Sequence, residues 1–146
     1  MIKTTKIAIG MAGSVDSGKS TLNGVLSTGK LDNGNGSARE TVAVHPHEIV
    51  SGQTSTVSTR HVIVSDYDAI TLVDLCGHEK YFRTTTKGIS SHFLDYAFLI
   101  VSANRGVLKM TKQHMRLLIS LNIPILIIIT HIDIVPEREY EKCKSL

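Results

Sequence analysis

The 146-residue chain has no apolar run long enough to cross a bilayer. The longest, Ile123 to Ile129, is seven residues and includes a proline, where a spanning helix needs about 20. No secretory leader is expected either: Met1-Ile2-Lys3-Thr4-Thr5-Lys6 runs straight into a β-type stretch with no signal-type apolar region or cleavage site. The expected location is therefore cytoplasmic, with no membrane partner. Cysteine is scarce. Cys76 and Cys143 stand far apart without Cys-x-x-Cys spacing, which reads as two free thiols. Nor is charge of one sign concentrated: a net +3 is carried by scattered Lys and Arg, and alone it gives no argument for nucleic acid. There is no internal repeat, and the only biased tract is Asn/Gly-rich, around Asn33 to Gly36. What is present, 20% charged and 42% hydrophobic residues over this length, fits one globular domain and excludes disorder as the main state.

Along the chain, Lys6-Ile7-Ala8-Ile9-Gly10 suits a buried parallel strand. A glycine-rich loop follows, then Leu22, Val25 and Leu26 at helical spacing. From Thr28 to about Thr54 no periodicity is evident, so this segment reads as a long loop that a ligand would order. The β-branched runs Ser58 to Ser65 and Ala69 to Asp74, separated by Asp66-Tyr67-Asp68, predict an antiparallel hairpin. A polar helix is expected after Gly77, a buried strand over Tyr96 to Ser102, and a last strand over Ile123 to Thr130. Between the last two, Thr111 is placed to cap a helix with Met115, Leu118 and Leu121 on one side. Five strands interleaved with at least three helices give a doubly wound α/β/α sheet, mostly parallel, with one antiparallel hairpin strand.

Gly13-Ser14-Val15-Asp16-Ser17-Gly18-Lys19-Ser20 matches G-x-x-x-x-G-K-[ST] at every fixed position, between a strand and a helix as the motif requires. The glycines let backbone N–H groups curl around phosphate oxygens, Lys19 adds positive charge, and Ser20 supplies a hydroxyl for Mg²⁺. Thr21 completes the helix start. Asp74-Leu75-Cys76-Gly77-His78 sets a carboxylate at the end of the hairpin's second strand, beside the strand that feeds the loop. Ligands of such sheets bind at the strands' C-terminal ends. Asp74 there can support Mg²⁺, Gly77 can bring its N–H to a γ-phosphate, and His78 can orient the attacking water.

With these residues in place, the chain resembles the GTP-binding domain of the translational GTPases, the family of elongation factor Tu. Leu31-Asp32-Asn33-Gly34, Ala38-Arg39, His47-Glu48-Ile49-x-Ser51-Gly52-x-Thr54-Ser55 and Gly77-His78-Glu79-Lys80-Tyr81 look like the narrower "GTP-binding protein 1 and 2" branch. The similarity runs from about Lys6 to Asp133 and covers almost the whole chain. It implies a phosphate-loop G domain that binds GTP and hydrolyses it to GDP, with the ribosome or ribosomal RNA as partner. It also implies that Thr54 is a Mg²⁺ ligand that closes on the γ-phosphate. Thr41, Thr56 and Thr59 are not distinguishable from it by sequence alone. By the same likeness Asp16 helps hold a monovalent cation, and Val15 is one wing of an apolar gate around His78 whose other wing falls on Gln53. The family's base-reading motif, Asn-Lys-x-Asp, stands here as Thr130-His131-Ile132-Asp133. Asp133 keeps the carboxylate that reads guanine N1–H and its amine, Thr130 replaces the Asn only in part, and His131 takes the place of the lysine stem over the base.

The other histidines receive plainer readings. His45-Pro46-His47 is taken as a loop without zinc, and His61, His92 and His114 as surface or packing residues. Lys80, Arg83 and Lys87 share a helix face, by default a solvated one, alternatively a contact for ribosomal RNA or another partner. The family continues with a Ser-Ala-x motif on a sixth strand and with β-barrel domains that handle tRNA. This sequence ends at Leu146, so the G domain is expected to lack its last strand, and tRNA contact only through domains absent from this chain. Fragment, truncated product and a domain completed by another chain remain open. Beside the GTPase stands a second expectation, a nucleotide-dependent interaction module without useful hydrolysis, favoured by Gln53, Thr130 and His131.

Overall fold

Strand alternation divides the apolar residues of this chain into two sets, and each set meets its own layer of helices. The computed structural model describes residues 5–43, 45–51, 53–64 and 68–145. The elements are β1 (Thr5–Gly13), α1 (Lys19–Thr28), α2 (Ser37–Glu40), α3 (Pro46–Ser51), β2 (Ser58–Ile63), β3 (Asp68–Asp74), a 3-10 turn (Glu79–Tyr81), α4 (Phe82–His92), β4 (Tyr96–Ser102), α5 (Lys109–Ser120), β5 (Ile125–Thr130) and α6 (Glu137–Lys144). The sheet order is β2-β3-β1-β4-β5, with β2 antiparallel to β3 and all other neighbours parallel. On one face Ala12, Val73, Ala97 and Leu99 pack with Ile89 of α4 and Leu118 of α5. On the other, Ile9, Met11, Leu72 and Ile100 pack with Leu22 of α1. The expected three-layer sheet is therefore the observed one.

β4 matches its predicted span, and β5 begins two residues later than expected. β1 runs on through Met11-Ala12-Gly13, paired with Asp74 on one side and with Phe98 to Ile100 on the other. That pairing carries the chain to the C-terminal edge of the sheet, where the order reverses and ligands of such folds bind. β5 stands at the edge of the described sheet with Leu126 and Ile127 more than half exposed. The predicted hairpin turn at Asp66-Tyr67, and the N-terminal residues before Thr5, lie outside the described residues.

Two expectations are corrected. Thr111 does not cap α5: Leu108 does, in extended conformation, and Thr111 is the helix's third residue. The helix buries Met110, Thr111, His114 and Leu118, while Met115 and Leu121 are exposed. Residues 111, 114 and 118 form one helical stripe, and polar Thr111 and His114 within it hid that stripe from a hydrophobicity reading. The stretch from Thr28 to Thr54 is not one featureless loop, since it holds α2 and α3. Their order comes from side chains bonding to backbone, which leaves no apolar period. The Asp32 carboxylate accepts the N–H groups of Gly34 and Ala38 at 2.9 and 2.8 Å. These bonds hold its carboxyl below the usual range. Buried Glu48 accepts from Ser55 N–H at 2.7 Å, Thr56 N–H at 3.2 Å and His45 N–H at 3.1 Å. Cys76 and Cys143 are both buried free thiols, as expected.

Candidate functional site

The loop between β1 and α1 bends through two left-handed positions, Asp16 at φ 57° and Gly18 at φ 86°. Gly18 adopts this conformation without a Cβ penalty. The turn is tied to itself, since Ser17 Oγ and Lys19 Nζ both donate to the Ser14 carbonyl, at 2.9 and 2.7 Å. Lys19 is buried, and burial lowers its pKa while Asp74 pulls it back up. Gly77 sits against this ammonium: a Cβ there would lie 2.4 Å from Lys19 Nζ and 2.9 Å from the Ser14 carbonyl oxygen. A side chain at this position would collide with the phosphate loop, so the close approach of the two segments requires glycine.

One cavity is lined by Val15, Asp16, Gly18, Lys19, Ser20, Thr21, Arg39, Gln53, Thr54, Gly77 and His78. Most of the phosphate-side residues singled out in the sequence thus meet in one place. A second hollow adjoins it, lined by Ser20, Arg39, Glu48, Gln53, Thr54 and Asp74 among others. Ser20 Oγ and Thr54 Oγ1 lie 3.0 Å apart. Glu48, through its bonds on Ser55 and Thr56, fixes the segment carrying Thr54. Both carboxylate oxygens of Asp74 are buried with no hydrogen-bond partner among the described residues. Burial pushes its carboxyl up to about 6, and Lys19 and the adjacent Ser20 hydroxyl oppose that rise. Two orphaned carboxylate oxygens beside two hydroxyls form an all-oxygen donor set, which suits a hard cation such as Mg²⁺. No group of three His, Cys, Asp or Glu able to hold a metal occurs among the described residues; the His45 and His47 rings stack on each other at 5.2 Å.

His78 is extended, and its Nδ1 accepts the Lys80 N–H at 3.1 Å, capping the 3-10 turn. An accepting Nδ1 puts the proton of the neutral ring on Nε2. In this arrangement His78 can donate a hydrogen bond to a water but does not present a free base at Nδ1. Val15, half-buried, and Gln53, exposed, line the same cavity. Asp16 already has a partner: Arg105 Nη1 donates to its carboxylate at 3.2 Å and to the Val15 carbonyl at 3.1 Å.

His114, expected at the surface or in packing, has a more particular place. It is fully buried, accepts the Gly13 N–H through Nδ1 at 3.1 Å, and stacks on Phe82 of α4 at 5.8 Å. Burial pushes its pKa down to about 4. Lys80, Arg83 and Lys87 are exposed, with Arg83 and Lys87 on the outer face of α4.

The residues that the family likeness assigns to the base are gathered less tightly. Thr130 Oγ1 donates to the Ser17 carbonyl at 2.8 Å, joining β5 to the phosphate loop. His131, left-handed at φ 58°, shares a hydrogen bond with Ser102 at 3.0 Å through Nδ1. A Cβ on Gly18 would lie within 3.7 Å of both Thr130 and His131. Asp133 is exposed and has no partner among the described residues.

A phosphate loop at the reversal point of a mostly parallel sheet, with an acidic strand end and a glycine closing on its lysine, defines a phosphate-loop nucleotide-binding domain. Residues 4–146 match the elongation factor Tu GTP binding domain, and the chain belongs to that family. It is 39% identical to GTP-binding protein 1 of Xenopus laevis, over 97% of this chain and 25% of that protein. It is 38% identical to GTP-binding protein 2 of Homo sapiens, over 93% and 26%. Translation elongation factor SelB from Methanococcus maripaludis, solved in complex with the GTP analogue GppNHp, superimposes with a TM-score of 0.75 at 26% identity, over 99% of this chain and 26% of SelB. The chain thus spans about a quarter of the length of the relatives it matches. Among the described residues no helix is long and apolar enough to cross a membrane.

Proposed function

We propose that this G domain binds GTP with Mg²⁺ and hydrolyses it to GDP and phosphate, as part of an elongation-factor-like translational GTPase. The observation that carries the reading is the meeting of Lys19, Ser20, Thr54, Gly77 and His78 around one cavity, with the two unpartnered oxygens of Asp74 behind it. Family membership, and a similar elongation factor solved with a GTP analogue, support the guanine nucleotide. Ser20, Thr54 and Asp74 would hold Mg²⁺, which when bound neutralises phosphate charge. The loop N–H groups and Lys19 bind the phosphates, and the Gly77 N–H meets the γ-phosphate. His78, donating through Nε2, orients the water whose oxygen attacks the γ-phosphorus as the bond to the bridging oxygen breaks and GDP leaves. Positioning and electrostatics carry such catalysis. Arg105 occupies one oxygen of Asp16, and Oδ1 is left for the monovalent cation that the family likeness implies. Ribosomal contact, in the cytoplasm, is proposed from the family; contact with tRNA is assigned to other domains.

A second reading, a nucleotide-dependent interaction module without useful hydrolysis, is favoured by exposed Gln53 at the mouth of the cavity and exposed Asp133. Single-turnover hydrolysis at saturating GTP separates the two. The GTPase reading expects His78→Ala to slow turnover by about 100-fold with GTP affinity retained. Equal rates would favour the module.

A further inference from the structure

The phosphate cavity contains a cation that the assignments above leave unused. Arg39, on short helix α2, lines both the cavity with Lys19, Gly77 and His78 and the adjoining hollow with Ser20, Thr54 and Asp74. The other cations nearby are committed. Lys19 donates to the Ser14 carbonyl, Arg105 is paired with Asp16, and Lys109 is paired with Glu79 at 2.7 Å. Arg39 makes no ion pair among the described residues, although Glu48 and Asp74 line the same hollow. Its Nε is buried with no acceptor. A buried donor left so is costly unless a ligand satisfies it. Arg60 also has an unmet Nε, yet its Nη2 donates to the Thr41 carbonyl at 2.8 Å and it lines neither hollow.

The position of Arg39 is built rather than incidental. Asp32 holds the preceding residue through the Ala38 N–H, and the Arg39 carbonyl accepts from Val42 and Ala43 N–H at 3.1 and 3.2 Å. The guanidinium lies over Gly36, where a Cβ would come within 3.0 Å of Nη2 and 3.4 Å of Nε. The absent side chain leaves room for the planar head. An oxyanion of phosphate is the acceptor that a guanidinium fork fits best, by paired charge-assisted hydrogen bonds. Within the cavity Arg39 keeps company with Gln53, Thr54, Gly77 and His78, the proposed γ-phosphate end, and not with Thr130, His131 or Asp133.

We propose that Arg39 meets the terminal phosphate and is the residue by which this site prefers a nucleoside triphosphate to a diphosphate. The inference rests on the proposed nucleotide site. Its test is equilibrium binding of guanosine 5′-(β,γ-imido)triphosphate and of GDP, each with Mg²⁺, to the unaltered chain, Arg39→Ala and Arg39→Lys. The expected result is a loss of about tenfold or more for the triphosphate analogue in Arg39→Ala, with GDP affinity held within about twofold and Arg39→Lys intermediate. Arg39→Gln carries the same expectation should Arg39→Ala fail to fold. If the two nucleotides weaken equally, or neither weakens, the role of Arg39 is overturned while the site stands. If the unaltered chain binds neither nucleotide, the proposed function fails and the role of Arg39 fails with it.

Discussion

The two ends of the proposed nucleotide site are built differently. At the phosphate end the groups are buried and mutually fixed: Lys19 and Ser17 on the Ser14 carbonyl, Glu48 on the segment after Thr54, His114 on Gly13. At the proposed base end Thr130 and His131 are partly exposed, and Asp133 is exposed without a partner among the described residues. The contrast follows from chemistry. Phosphates are met by backbone N–H groups and a lysine that must be held before the ligand arrives, because their desolvation is costly unless partners are in place. A base edge needs one well-placed carboxylate, and that can stay in water until stacking excludes it.

Breaking the phosphate end has the largest expected effect. Lys19→Ala removes both the buried charge and the tie to Ser14, and should weaken GDP by about 100-fold, measured by isothermal titration. A loss under about threefold would contradict the view that this end dominates affinity. Next come the pH slopes of its two buried titrating groups, measured by denaturant unfolding without metal. Asp74 has a folded pKa raised to about 6 from 3.8, so its contribution to stability is full below about 3.8 and lost as pH rises through 6. Asp74→Asn should therefore stabilise the metal-free chain by about 1–3 kcal/mol above pH 7 and change nothing below pH 4. His114 has a folded pKa lowered to about 4 from 6.5, so its contribution is full above 6.5 and lost as pH falls through 4. His114→Gln should flatten the acid side of the profile, opposite in sign to Asp74→Asn. Identical profiles for the two variants would refute the burial argument for both.

The smallest effect is expected at the base end. Thr130→Asn lengthens the side chain at the position where the family has asparagine, and should sharpen GDP over ADP by about threefold to tenfold, a gain of one hydrogen bond. Competition binding would read it. No change would mean that the bond of Thr130 to the Ser17 carbonyl, rather than base contact, is what the residue provides.

Legibility in the sequence followed the same division. The phosphate loop and Asp74-x-x-Gly77-His78 could be read because each is a contiguous run with a fixed chemical need. The strands could be read from β-branched runs, with β4 matching residue for residue. Arg39, Glu48 and His114 could not be read in these roles. Each acts on a partner distant in sequence, and their elements are set by capping bonds or by a stripe interrupted with polar residues. Thr54 needed the family likeness, since four threonines were equal candidates on sequence alone. In the structure, Ser20 Oγ 3.0 Å from Thr54 Oγ1 is what distinguishes it.

The central claim is a guanine nucleotide site whose base reader is Asp133. The most direct measurement is equilibrium binding of GDP, ADP and XDP, each with Mg²⁺, to the unaltered chain and to Asp133→Asn. The account predicts GDP tighter than ADP by about tenfold or more, and a reversal to XDP in Asp133→Asn, whose amide offers a donor where the carboxylate offers an acceptor. Equal binding of GDP and ADP, or a GDP affinity unmoved by Asp133→Asn, would contradict it.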